Sequence, residues 1–415
     1  MLNLLVQITT LGNALLFSFL APAAYGLALY GEFIGLNAVV FLLHRAFGII
    51  SEPLIRFAGA GKLIYSVLLL SLLTFVGFLA LHFLTSVGSP LLLFSMLLSA
   101  SVLLVLQGLR LRRAYILFVS LAALLLAALT AWSYTHDLSI SLERVMEISV
   151  LIPACVWLVV ALRASDECPT LKELKALLSQ LAKQIPQLLT VTAVMNLLTA
   201  ALPVYLARVL VPYDLGLYRV ATSVIQSATS VFPVSTAAVI ARFTTHAQGK
   251  RLYRTLRSFA TLYFSIIATG LILLAYLAPT LTPYLVLCAS IPVYYRAVLD
   301  ERHLIAANRS LWLMAINITV VLIGLGSLFL IHTLENAMLY YACIVTAYAG
   351  LMQLLRKNIL AQMPSLLMIM ACPFAVFLMS REPSFGLFYL ALLVLVEWMQ
   401  DRPTRTDLVW LWREM

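Results

Sequence analysis

Charge is what this sequence has least of. Of its 415 residues only 11% are Asp, Glu, Lys or Arg, where a water-soluble domain carries about 25%. With 63% apolar residues and a mean hydropathy of +1.02, an aqueous surface cannot be covered, so a soluble enzyme is excluded. Paired cysteines are missing too. Cys155, Cys168, Cys288, Cys343 and Cys372 form no CxxC and four lie in apolar segments, which suggests neither disulfides nor a metal site. There is no Walker-type phosphate loop, HExxH, nucleophile elbow or long extracytoplasmic loop, so the expectation is a chain with no cofactor, no ATPase and no enzymatic activity. Met1 runs almost directly into apolar sequence without a basic region, and the first segment reads as a retained helix rather than a signal peptide.

What is there is a series of apolar runs, near 2–22, 27–50, 63–84, 89–108, 114–132, 147–163, 186–207, 217–240, 258–278, 280–299, 311–331, 336–355, 363–379 and 384–399. Each approaches the length that crosses a bilayer. The reading is an all-α polytopic membrane protein of about 14 transmembrane helices. The 27 Lys and Arg exceed the 17 Asp and Glu, a balance that in a soluble protein would raise the question of nucleic acid. Here 22 of those cations fall after even-numbered runs and four after odd ones. The positive-inside rule then places both termini in the cytoplasm, and no nucleic-acid partner is called for.

The polar stretch 164–185 separates two halves. Thr170 and Glu173 make a capping box, and Leu171, Leu174, Leu178, Leu181 and Ile185 follow at helical spacing, which predicts an amphipathic cytoplasmic linker helix. The halves repeat. Leu20-Ala21-Pro22 with Gly26-Leu27 recurs as Leu210-Val211-Pro212 with Gly216-Leu217, and Arg56-Phe57 with Gly61-Lys62 recurs as Arg242-Phe243 with Gly249-Lys250. Six runs per copy, an even number, give a parallel repeat, and transport sites commonly lie between such copies. The expected domains are a six-helix bundle over 1–163, the linker 164–185, a second bundle over 186–357, and an extra helix pair with a cytoplasmic tail over 358–415.

Polar groups concentrate in the first two runs of each copy. The second run and its end carry Glu32, His44, Arg45 and Glu52; the eighth carries Arg219 and Gln226, with Ser223 and Ser230. Gln7 stands in a stripe of the first run, Asn196 in one of the seventh, and Arg208 near the latter's outer end. An ionisable group in hydrocarbon costs about 2.5–3.5 kcal/mol, so it faces a cavity or a partner. We therefore expect Arg45, Arg219, His44, Gln226, Asn196, Arg208 and Gln7 to bind substrate, and Glu32, Glu52 or His44 to couple an ion. Plainer roles stay open. Arg208 and Arg219 also suit snorkelling, Arg45 suits pairing with Glu52, single Ser and Thr residues suit bonding their own backbone, and Glu397 reads as interfacial.

The segment Leu20 to Leu27, the close of the second run at Ile55-Arg56, and Val211 to Tyr218 followed by Phe232-Pro233 and Gly249-Lys250 resemble the polysaccharide transporters of the multidrug/oligosaccharidyl-lipid/polysaccharide flippase superfamily. This sequence has Leu-Ala-Pro where Gly-Pro is usual there, and no arginine in its first run. The resemblance implies two six-helix bundles in a V shape plus the C-terminal pair, and alternating access. It implies translocation of a lipid-linked oligosaccharide, as in O-antigen flippases of the bacterial inner membrane, with membrane lipids around it and polysaccharide polymerases or glycosyltransferases as partners. Two alternatives stand beside it: a cation-coupled multidrug or small-molecule exporter of the same architecture, and a membrane-embedded polymerase or acyltransferase, for which 133–146 is the longest outer loop.

Overall fold

The computed structural model describes residues 16–51, 59–108, 111–136, 140–163, 194–230, 249–306, 310–354 and 363–400, with Thr170, Lys172, Glu173, Lys175, Ala176 and Ser179. Among them there is no strand. Among the described residues six helices are long and apolar enough to cross a membrane: Leu63–Thr85, Arg113–Thr135, Leu142–Arg163, Tyr253–Leu277, Leu311–Leu330 and Leu334–Leu354. The chain is an all-α polytopic membrane protein, and it divides into two compact units, Met1–Arg219 and Val220–Met415.

The described part of unit 1 begins with a π-helical turn, Leu16–Leu20, and the short α1 (Ala21–Tyr25). At Gly26 φ is +84°, a conformation that costs glycine nothing, and the chain turns through 118° into α2 (Leu27–Leu36). One residue, Asn37, interrupts the path to α3 (Ala38–Ser51). There follow α4 (Gly59–Thr85), α5 (Pro90–Gly108), α6 (Arg112–Thr135), α7 (Leu142–Arg163), α8 (Val194–Val209) and α9 (Pro212–Ser230), whose second half enters unit 2. α5 packs against α3, α4 and α7, α6 against α7, and α8 against α2 and α3. Leu98, Val102 and Leu106 of α5 meet Tyr115, Phe118 and Val119 of α6 and Ala154 of α7 in a buried core. Small residues bring the helices close, as membrane packing requires. Ser95 and Ser101 are buried, and their hydroxyls donate to the Leu91 and Leu97 carbonyls one turn back at 2.8 and 2.7 Å.

The closest approach in unit 1 joins α2 to α9. A Cβ at Gly31 would lie 1.7 Å from the Pro212 carbonyl oxygen, and one at Gly216 would lie 2.3 Å from that of Leu27. Only two glycines let the backbones come so near.

In unit 2, α10 (Gly249–Leu277) packs against α12 (Ile291–Ala306) and α17 (Ser384–Gln400). α14 (Leu334–Leu354), buried over most of its length, touches α12, α13 (Ser310–Ser327), α15 (Met363–Met370) and α16 (Cys372–Met379). The apolar run 280–299 is not one helix. It breaks into a 3-10 turn Pro279–Leu281, the single turn α11 (Thr282–Leu285), a buried 3-10 segment Val286–Ser290 and only then α12. Pro279, Pro283 and Pro292 explain this, because proline has no N–H for the helical ladder and sits only in a first turn without disrupting it.

The capping box forms as its sequence suggests. The Thr170 amide donates to Glu173 Oε2 at 2.9 Å and the Glu173 amide to Thr170 Oγ1 at 3.4 Å. Lys172, Glu173, Lys175, Ala176 and Ser179 are helical and exposed.

Candidate functional site

The glycine contact carries several polar residues of unit 1 to one place. A cavity of about 360 Å³ is lined by Gly31, Glu32, Gly35 and Leu36 of α2, Ala38 and Val39 of α3, Val87 of the α4–α5 connection, Val204, Ala207 and Arg208 of α8, then Leu210, Pro212 and Leu215. Glu32 and Arg208 thus share one cavity although about 175 residues separate them in the chain; close helix approach is what lets distant segments build one site. Both side chains are exposed. Tyr30, two residues before Glu32, is fully buried, and its phenol lies beside the guanidinium of Arg219 on α9. A carboxylate from α2 and a guanidinium from α8 therefore meet in an otherwise apolar frame, while the Tyr30–Arg219 contact joins α2 to α9 outside the lining. Such a set can hold an anionic or hydroxyl-rich headgroup, because arginine offers a planar fork of donors and the carboxylate accepts.

The other candidates lie apart from that cavity's lining. Arg45 is exposed on α3, next to half-buried His44. Gln226, half-buried on α9, falls in unit 2, where its carbonyl accepts from Thr229 Oγ1 at 3.0 Å. Asn196 stands in α8, its side chain outside the described residues, and Gln7 and Glu52 lie outside them altogether.

Sequence reasoning missed the densest ionic assembly, which lies in unit 2. Arg257 and Arg296, counted as connection charges, are each 2% exposed, and Glu397, expected at the interface, is 2% exposed as well. Glu397 Oε1 accepts from Arg296 Nη1, lies 3.6 Å from Arg257 Nη2, and accepts from Ser365 Oγ at 2.5 Å. Both arginines also donate to Gln353 Oε1, Arg296 at 2.6 Å and Arg257 at 3.1 Å. Nearby, Tyr253 donates to Asp300 and stacks on His303, and Tyr348 donates to Glu301 at 3.0 Å. The correction has a plain cause. These residues sit on α10, α12, α14, α15 and α17, and hydropathy alone cannot tell an outward-facing charge from one enclosed by four other helices. A carboxylate near the close of an apolar run was the signal available.

Among the described residues, no group of three or more His, Cys, Asp or Glu side chains could hold a metal ion. No protein family, curated protein or solved structure matches the chain.

Proposed function

We propose that the chain is a flippase that carries a polyprenyl-(pyro)phosphate-linked oligosaccharide across the bacterial inner membrane by alternating access, for surface polysaccharide synthesis. The reading includes fourteen spans in two parallel six-helix repeats with a C-terminal pair, both termini cytoplasmic, and polysaccharide polymerases or glycosyltransferases as working partners. The observation that carries it is the meeting of Glu32 and Arg208 in one cavity. Charged groups on apolar helices are costly unless water or ligand meets them. An oligosaccharide cannot shed its hydroxyl hydrogen bonds in hydrocarbon, whereas its polyprenyl tail remains comfortable there. Arg219, Arg208 and Arg45 suit the phosphate, and Glu32, Gln226 and Asn196 suit sugar hydroxyls.

Complementation of a surface-polysaccharide defect tests the reading. Arg45→Ala and Arg219→Ala are expected to abolish transport with the protein still inserted, while Lys172→Ala, Lys175→Ala and Lys183→Ala leave it intact. Full activity of both arginine variants would remove Arg45 and Arg219 from the reading, and full activity of Arg208→Ala would remove the cavity as the site. A second reading, a cation-coupled exporter, is favoured by one feature, the Glu32 carboxylate in the cavity wall. In that case Glu32→Gln abolishes resistance to lipophilic cations and polysaccharide export is indifferent to it.

A further inference from the structure

A chain of hydrogen bonds runs from the surface of unit 1 to the wall of its cavity. It starts at Arg144, whose side chain is 62% exposed and donates from Nη1 to Glu147 Oε2 at 2.7 Å. Glu147, on α7, is 2% exposed. Its other oxygen accepts from Ser89 Oγ at 2.9 Å. Ser89 in turn caps α5, accepting from the Leu92 amide at 3.2 Å. The Ser89 amide donates to Asn37 Oδ1 at 3.0 Å, and Asn37 Nδ2 donates back to the Phe33 carbonyl at 3.2 Å. Asn37 is the residue that separates α2 from α3, and its neighbours Leu36, Ala38 and Val39 line the cavity, as does Val87 two residues before Ser89. The loop is pressed into place: Gly88 has φ +72°, and a Cβ there would sit 2.7 Å from Val40 of α3.

We propose that Glu147 is a positioning residue for this cavity: through Ser89 it holds Asn37, and with it the junction of α2 and α3, against the start of α5. Every polar atom in the chain from Glu147 to Asn37 has a partner, so the loss of one bond leaves a buried group exposed to an apolar surround, which favours opening of the junction. Apolar packing alone would not need a carboxylate at a position this deeply buried. The inference does not depend on the cargo, and its test reads none.

The test is the rate at which a water-soluble maleimide labels a thiol introduced by Val39→Cys, in membranes, on a background in which the five native cysteines are replaced. Glu147→Ala and Asn37→Ala should each speed labelling about tenfold, equivalent to about 1.4 kcal/mol of opening. Because both cut one chain, the double variant should be no faster than either single. Glu147→Gln, whose amide oxygen still accepts from Ser89, should stay within about threefold of wild type. A thiol introduced by His332→Cys in unit 2 should label at an unchanged rate throughout. Unchanged rates at position 39, multiplied effects in the double variant, equal effects of Gln and Ala at 147, or equal acceleration at position 332 would each overturn the proposal. If Glu147→Ala does not give monodisperse protein, Ser89→Ala takes its place under the same criteria.

Discussion

Removing the carboxylate of Glu397 should destabilise the protein severely. In Glu397→Ala, two guanidiniums that are each 2% exposed lose their shared anion and keep one common acceptor, Gln353 Oε1, while Ser365 loses the oxygen it donates to. Breaking a buried ion pair by deleting one partner costs about 3–5 kcal/mol, and an orphaned hydroxyl adds about 1 kcal/mol or more. At the lower bound the folded-to-unfolded ratio falls by more than about a hundredfold. Replacing the pair is a different perturbation. Arg296→Met with Glu397→Leu removes the hydrogen-bonded pair and leaves one buried guanidinium, Arg257, where Glu397→Ala leaves two, so the double variant should recover part of the loss. The assay is equilibrium unfolding of purified protein in mild detergent, followed by tryptophan fluorescence and by retention of a monodisperse elution peak. A Glu397→Ala protein within about 1 kcal/mol of wild type, or a double variant no better than the single, would refute the claim that the network fastens α15 and α17 to α10, α12 and α14.

Gly31→Ala and Gly216→Ala should each destabilise unit 1 by about 1–3 kcal/mol, as overpacking does, since the new Cβ meets backbone at 1.7 or 2.3 Å; Gly48→Ala and Gly77→Ala, with nothing within 4 Å, should be neutral or slightly stabilising in the same unfolding assay. Arg208→Gln and Glu32→Gln, both exposed, should leave unfolding within about 0.5 kcal/mol of wild type and change only transport. In proteoliposomes, translocation of a net negative headgroup outward should speed up under an inside-negative potassium-diffusion potential, which favours it by about 2.3 kcal/mol per charge per 100 mV; indifference to potential and to both proton and sodium gradients would leave only equilibration. Tags at either terminus should label from the cytoplasmic side alone, and external labelling in intact cells would sink the fourteen-span arrangement.

Particular residues show where reading the sequence stopped. Hydropathy located 63–84, 114–132 and 311–331 because an unbroken apolar stretch of that length has few other fates, and these lie on α4, α6 and α13. The same averaging hid the breaks in 280–299, since prolines barely change a mean. Glu32 was legible as a charge with no business in lipid, and Arg219 likewise. That Glu32 would share a cavity with Arg208 depends on α2 meeting α8 and, through two glycines, α9, and no local pattern records which distant helix a glycine serves. Charge counting failed at Arg257 and Arg296 for the opposite reason. It assigns every cation beside a span to the surface, although five helices can enclose what one would expose.

The contact of α2 with α9 also bears on how the protein is made. About 190 residues separate the two glycines, an interval that a ribosome adding 5–20 residues per second needs roughly 10–40 s to translate. For that time the first-made spans exist without the helix that covers Gly31, and Glu32 has no cavity to line. A nascent chain arrested after α7 therefore leaves the Gly31 face of α2 uncovered by the backbone that later packs on it. It also accounts for a first unit that ends at Arg219, past the polar stretch 164–185, because α8 and the start of α9 are what complete it.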